Sequence, residues 1–159
     1  MAQAVDITPV GRAVEAAMLD LVGRIREEAN ERGKVASGKT LASLRTSVQS
    51  APGFVVGTLT GGSWWRYVGN GRGPGGMPPI EPIRAWIQSK GLSLSPYAVA
   101  LKMAREGSRD YRLRRTNIFT DSIAAWEDSD VLEAVGDAGL KAFGEAYVQQ
   151  VRDTFKPTA

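Results

Sequence analysis

Apolar residues recur at helical spacing near both ends of the chain. Thr8 followed by Pro9 is a typical helix start, and the pattern predicts a helix to about Arg32, ended by Gly33. A second long helix is predicted to follow Ser129, which would cap it. The apolar positions that share one face are Val10, Val14, Ala17, Leu21 and Ile25 in the first helix, and Leu132, Val135, Leu140, Phe143, Tyr147 and Val151 in the last.

Between these helices the pattern changes to short runs that favour β-structure. Thr46 to Ser50 and Phe54 to Thr60 are separated by Ala51-Pro52-Gly53, which predicts a hairpin within a sheet of two or three antiparallel strands. The preceding segment, Ser37 to Arg45, is compatible with a short helical turn that docks two leucines.

A stretch rich in glycine and proline, residues 69 to 79, excludes regular secondary structure. Two helices are predicted after it, the first beginning at Pro82 and ended by Gly91, the second capped by Ser95-Pro96 and ended by Gly107. The side chains available for packing are Ile83, Trp86 and Ile87 in the first, and Val99, Leu101, Met103 and Ala104 in the second. Residues 109 to 115 should form a loop or a fraying helix, and Ile118, Phe119, Ile123 and Trp126 an apolar cluster on a short helix.

These elements predict an α+β fold, with a small antiparallel β-sheet packed by the long N- and C-terminal helices. The length of 159 residues suits one domain, so we expect residues 1–159 to form it, with 71–115 as an inserted loop and helical module.

Cysteine and histidine are both absent from the sequence. Disulfides, Cys/His zinc sites, thiol nucleophiles and imidazole bases are therefore excluded, and we expect no enzyme and no cofactor. The carboxylates between Asp121 and Asp130 do not match the spacing of a calcium loop, so no metal site is expected. The first residues lack the pattern of a signal peptide and no apolar run is long enough for a membrane span, which predicts a protein made in the cytoplasm that does not enter the membrane.

Charge is distributed unevenly along the chain. Residues 66–115 contain ten Lys/Arg against three Asp/Glu, whereas residues 116–159 contain three against eight. Such asymmetry favours a charged partner, either a nucleic acid or the acidic segment of a neighbouring copy.

One segment matches a nucleotide-binding motif. Residues 33–40, Gly-Lys-Val-Ala-Ser-Gly-Lys-Thr, fit the P-loop pattern with Lys39 and Thr40 in the expected places. A P-loop needs a buried strand before its glycines, and here a charged helix end precedes Gly33, so we expect a helix end and a turn instead.

The residues with the strongest potential for a partner contact lie in the basic half of the chain. The aromatic group at 64–67 has the composition of a stacking platform for single-stranded nucleic acid. We favour the alternative, in which one tryptophan and the tyrosine belong to the core and the other tryptophan lies at a subunit interface. The arginines at 109–115 suit phosphates and acidic protein surfaces equally. The candidate contact residues are Trp64, Trp65, Arg66, Arg72, Arg109, Arg112, Arg114 and Arg115.

Read in order, three short motifs resemble the tail-completion proteins at the head-to-tail junction of long-tailed bacteriophages. Residues 37–45, Ser-Gly-Lys-Thr-Leu-Ala-Ser-Leu-Arg, resemble the family's Gly-x-Leu-x-x-Ser-Leu element. Residues 65–72 resemble its aromatic and glycine-containing segment, although Gly69-Asn70 stands where relatives often have Glu-Gly or Phe-Gly. Residues 117–123 resemble its closing element, in which a phenylalanine anchors the last helix on the sheet.

The resemblance implies a virion structural protein that completes the tail or neck. Its subunits would form a ring, commonly a hexamer, between the portal or neck proteins and the tail tube or tail terminator, with DNA in the channel as a further contact. It would be located in the virion, and in the host cytoplasm during assembly. The glycine-rich arm would become ordered on assembly. The alternative that remains open is a nucleic-acid-binding protein that uses the basic segment 66–115.

Overall fold

The computed structural model of the protein describes residues 8–35, 38–51, 53–114 and 117–154, and the side chains of these as far as residue 152. The fold is α+β, as predicted, with a two-stranded antiparallel sheet among helices. The elements, in chain order, are α1 (Thr8–Glu31), α2 (Lys39–Ala42), β1 (Arg45–Ala51), β2 (Phe54–Thr60), α3 (Trp65–Asn70), α4 (Ile80–Ser89), α5 (Pro96–Glu106), α6 (Arg109–Arg112), α7 (Ile118–Glu127) and α8 (Val131–Thr154).

The chain forms two compact units, each built from segments that are distant in sequence. Unit 1 comprises the described residues of Met1–Gly23, Arg45–Thr60 and Ala125–Ala159, and unit 2 those of Arg24–Leu44 and Gly61–Ala124. The predicted insert, 71–115, therefore belongs to a larger unit that also takes in the end of α1, α2, α3 and most of α7. These flanking elements supply much of the buried apolar surface of unit 2, namely Ile25, Ala29, Leu44, Trp65 and Ile118.

Unit 1 is built around the hairpin and the first part of α1. Strands β1 and β2 pair in the register Arg45↔Thr60 to Ala51↔Phe54, which confirms the predicted hairpin, while Pro52 of the connecting turn lies outside the described residues. Gly57 in β2 faces Val14 and Met18 of α1, so the helix can approach the strand closely. The indole nitrogen of Trp126 donates to the carbonyl of Ala17 at 3.0 Å, which fastens the end of α7 to the same helix.

The last helix, α8, packs through a different face from the one its large residues predict. Ala142 is buried, and the neighbouring positions on that face are half-buried, namely Val131, Val135, Ala138, Gly139 and Ala146. Of the six residues predicted to face inward, only Val135 lies on this side; the others are exposed. Small side chains allow a helix to pack closely, and α8 accordingly turns its face of alanine, glycine and valine inward.

The start of α8 also differs from the prediction. Helix α8 begins at Val131, and the carbonyl of Asp130 accepts a hydrogen bond from the amide of Ala134 at 3.1 Å. The hydroxyl of Ser129 instead donates to the carbonyl of Trp126 at 2.6 Å. Ser129 therefore closes the end of α7 and does not cap α8.

In unit 2 the helices α4 and α5 form the predicted pair. Ile83, Ile87 and Ala100 are buried together, and Ile80, Val99 and Met103 pack against them. Ser95 caps α5 by accepting from the amide of Ala98, and Gly107 follows the helix in the left-handed region, with φ of 79°. Helix α4 begins two residues before Pro82, since proline is tolerated in a first helical turn. Trp86 was predicted to face inward but is 41% exposed.

Two ion pairs join the end of α1 to later parts of unit 2. Arg32 pairs with Asp121 of α7 as well as with Glu28, and Lys34 pairs with Asp110 of α6. The hydrogen bond to Asp121 raises the pKa of the Arg32 guanidinium, desolvation by burial opposes this shift, and Glu28 adds to it. These pairs hold α6 and α7 against the end of α1. Helix α6 carries Arg109 and Arg112, two of the candidate contact residues.

Candidate interaction surface

The two adjacent tryptophans have opposite environments. Trp65 is only 5% exposed, its indole nitrogen donates to the hydroxyl of Ser43 at 3.0 Å, and its ring meets that of Phe119 edge-on at 5.0 Å. Trp65 is therefore a core residue of unit 2. The prediction that its side chain contacts a partner is not supported, because the side chain is buried within the chain. Trp64, directly before it, is exposed.

Tyr67 and Arg66 form an exposed pair on α3. The guanidinium of Arg66 stacks over the ring of Tyr67 at 4.6 Å and donates to its hydroxyl at 2.6 Å. Tyr67 is 43% exposed, so the expectation that it belongs to the core is wrong. Helix α3 also includes Gly69 and Asn70, which were predicted to be irregular. Gly69 is buried, because the side chain of Asn117 packs directly against its backbone.

Arg72 is held inside unit 2 by its backbone and its side chain. Its amide donates to the hydroxyl of Ser108 at 2.9 Å, and its carbonyl accepts from the amide of Ser108 at 2.7 Å. One guanidinium nitrogen donates to the carbonyl of Gly76, while Nη1 is buried without a hydrogen-bond partner among the described residues. Arg72 is half-buried, which makes it a poorer contact residue than the sequence indicates.

The glycine- and proline-rich segment that follows α3 has no regular secondary structure before α4, but hydrogen bonds attach it to the end of α5 and the start of α6. Besides the bonds of Arg72, the amide of Gly75 donates to the carbonyl of Ala104 at 2.8 Å, near the end of α5. A Cβ at Gly107 would lie 2.8 Å from the carbonyl oxygen of Arg72, so the backbones approach closely. The expectation of an arm that becomes ordered only on assembly is therefore not met by residues 71–76, which lie against α5 and α6 within the chain itself.

Helix α6 presents the basic residues of the 109–115 run. Ser108 caps it, and Asp110 points to Lys34. Arg109, Arg112 and Arg114 are exposed; Arg112 pairs with Glu106 at 3.0 Å, and Arg114 lies in the left-handed region with φ of 47°. Arg115 lies outside the described residues. We call the exposed residues Arg109, Tyr111, Arg112, Leu113 and Arg114 the α6 rim.

The segment that matches the P-loop pattern has a different structural context. Helix α1 precedes it, Gly33 takes a φ of 63°, and the four-residue helix α2 follows. Lys90 donates to the carbonyl of Val35 at 2.7 Å, and Ala36 and Ser37 lie outside the described residues. The strand required before the glycines is replaced by a helix, as the sequence indicates.

Sequence reasoning missed two features of the surface. The first is a row of large apolar residues on α8 that nothing in the described chain covers, which helical spacing alone could not distinguish from a core face. The second is a difference in charge between the units: unit 1 contains five Lys/Arg and ten Asp/Glu, whereas unit 2 contains fifteen and seven. The uneven charge along the chain signals this difference only in part.

Among the described residues, no group of three or more acidic side chains lies close enough together to hold a metal ion, and no helix is long and apolar enough to cross a membrane. Comparison of the chain with models of protein families, with curated proteins and with solved structures found no match.

Proposed function

We propose that the protein is a virion structural protein at the head-to-tail junction of a tailed phage or phage-like particle, acting as a tail-completion or neck ring subunit. The observation that carries the proposal is the amount of apolar surface left exposed. Within the described part of the chain, nineteen large hydrophobic residues are exposed, against thirteen buried hydrophobic residues of any size. Extensive exposed apolar surface of this kind is typical of proteins that complete their packing by assembly.

Convergence of the three motifs that carry the family resemblance also supports the proposal. Ser43 comes from the first motif, Trp65 from the second and Phe119 from the third, and the indole of Trp65 contacts both of the others. Leu44, next to Ser43, is buried as well. Motifs that are distant in sequence but pack together can persist as a set, because each side chain depends on the others.

The first test is the location of the protein in particles. Particles would be purified from the producing cells, separated into heads and tails, and analysed by quantitative mass spectrometry. We expect a few copies per particle, enriched at the junction. Absence of the protein from the particles would contradict the proposal.

A charge reversal tests whether the basic residues of the 109–115 run contact a partner at the junction. In the variant Arg112→Glu, Arg114→Glu, Arg115→Glu, we expect joined particles to fall at least roughly tenfold, because like charges would face an acidic partner. Electron microscopy of lysates counts joined particles against free heads and tails.

The matched control changes the charge by the same amount elsewhere in unit 2. Arg84, Lys102 and Arg105 are exposed on α4 and α5, and their replacement by glutamate should leave joining unchanged. Normal joining in the first variant, or an equal loss in the control, would remove the α6 rim from the proposal.

Nucleic-acid binding is the second candidate function. The excess of cations in unit 2, together with exposed Trp64 and Tyr67, favours it, because stacking and phosphate neutralisation are what single-stranded ligands need. It requires an affinity that falls steeply with salt.

A further inference from the structure

Helix α8 has two apolar faces, of which one is buried or half-buried and the other is exposed. The exposed face carries Leu132, Gly136, Leu140, Phe143, Tyr147 and Val151, which we call the α8 stripe. At a rotation of about 100° per residue these six positions fall within an arc of about 100° that runs the length of the helix. Leu140 and Tyr147 are 75% and 70% exposed, values unusual for large apolar residues in a continuous row.

One border of the α8 stripe is acidic. Glu133 and Asp137 are exposed, lie one turn apart, and follow the same edge of the stripe. Unit 1 as a whole has ten Asp/Glu against five Lys/Arg. A surface that covers the stripe should therefore combine exposed apolar side chains with positive charge.

The α6 rim has this composition. Tyr111 and Leu113 are large, apolar and exposed, and they alternate with the exposed Arg109, Arg112 and Arg114. Unit 2, which carries the rim, has fifteen Lys/Arg against seven Asp/Glu. The α6 rim therefore matches the α8 stripe in both apolar character and charge.

We infer that the α8 stripe of one copy binds the α6 rim of a second copy. Such a contact joins two different surfaces, so a pair of copies retains one free rim and one free stripe, and the contact repeats until a ring closes. The inference rests on the proposed function in that a repeated head-to-tail contact is what a ring subunit needs. Pairing of two α8 stripes is disfavoured, because it would bring two acidic units together.

The first experiment removes the apolar part of the contact. The purified full-length chain would be studied by analytical ultracentrifugation over a range of concentrations. We expect assemblies larger than a monomer, which weaken as salt rises. The variant Leu140→Gln, Phe143→Gln should weaken association at least roughly tenfold, because both residues lie at the centre of the stripe.

A matched variant controls for the helix itself. Lys141 and Glu145 are exposed on the opposite side of the same turns, and replacement of both by glutamine keeps the net charge, as the stripe variant does. Its association should equal that of the original chain. Equal weakening in the two variants would overturn the assignment to the stripe.

A charge swap tests the pairing of the two surfaces. Arg109→Glu, Arg114→Glu should weaken association, and so should Glu133→Arg, Asp137→Arg. A chain that carries all four changes should associate again, because both surfaces have exchanged sign. Failure of the four-fold variant to recover, with the helical content of the original chain retained, would overturn the inference.

Single cysteines identify the partner surface directly, since the chain contains no cysteine of its own. A mixture of chains with Tyr147→Cys and chains with Leu113→Cys should form mixed disulfide dimers. Preferential dimers of Tyr147→Cys with itself would show that the stripe pairs with another stripe, and would overturn the inference. A chain that is monomeric at every salt and concentration would also overturn it.

The two proposals fail separately. A chain that is found in particles but is monomeric in solution leaves the head-to-tail function standing and removes this contact. A chain that associates through the α8 stripe and the α6 rim but is absent from particles leaves the contact standing and removes the head-to-tail function.

Discussion

Among the glycines of unit 1, Gly57 has the least room for a side chain. A Cβ at this position would lie 2.8 Å from Cγ of Met18 and 3.0 Å from a methyl group of Val14. We expect Gly57→Ala to destabilise the protein by about 1–3 kcal/mol, because α1 must shift away from the hairpin. Urea unfolding followed by circular dichroism would measure the loss.

Gly144 supplies the control for that substitution. It is an exposed helical glycine with open space around its Cα, so Gly144→Ala should stabilise α8 by about 0.5–1 kcal/mol. If Met18 is the obstacle, Met18→Ala should recover part of the stability that Gly57→Ala loses. Equal stability of Gly57→Ala and the original chain would contradict the close approach.

At the residue scale the sequence identified aromatic and basic candidates but not their exposure. Trp64 and Trp65 are the same residue type, yet only Trp65 is buried, because it contacts the hydroxyl of Ser43 and the ring of Phe119. Such a choice depends on residues that are far apart along the chain. It cannot be made from local pattern alone.

At the scale of elements, Ser108 connects the glycine-rich segment to α6. Its hydroxyl accepts from the amides of Arg72 and Tyr111, at 2.9 and 3.4 Å. We expect Ser108→Ala to weaken the attachment of residues 71–76 by about 1–2 kcal/mol, because a part-buried amide loses its acceptor. Hydrogen exchange of these residues, and trypsin cleavage after Arg72, should become faster.

Ser95→Ala is the comparison for that prediction. Ser95 caps α5 in the same manner and is not bonded to the glycine-rich segment. This variant should leave exchange in residues 71–76 unchanged. Identical exchange in the two variants would show that the Ser108 hydroxyl does not hold the segment.

Helix and strand limits follow the sequence well where the signals are local. Gly33, Gly91 and Gly107 end their helices as predicted, with positive φ in each case, and the hairpin has the predicted strands. The sequence-based prediction was wrong where contacts between distant residues determine the extent of a helix or its buried face. Helix α3 includes Gly69 because Asn117 covers it, and α8 buries its alanines while its larger residues stay exposed.

For the whole molecule, the charge of unit 2 gives a test against nucleic acid. We expect only non-specific binding to duplex and single-stranded DNA, with a Kd on the order of 10–100 µM near physiological salt. Fluorescence anisotropy over a salt titration would measure it. A Kd below about 0.1 µM that weakens steeply with salt would put the nucleic-acid function ahead of the structural one.

The interleaved units have a consequence for the order in which the chain becomes functional during synthesis. Unit 2 is complete once residue 124 has left the ribosome, whereas unit 1 needs residues beyond Ala125 to join the hairpin and the first helix. Domains generally fold as their residues emerge. The basic α6 rim would therefore be ready early, and the apolar α8 stripe with its acidic border would appear last. A nascent chain could accept a finished neighbour before it could dock onto one, which would give assembly on polysomes a direction.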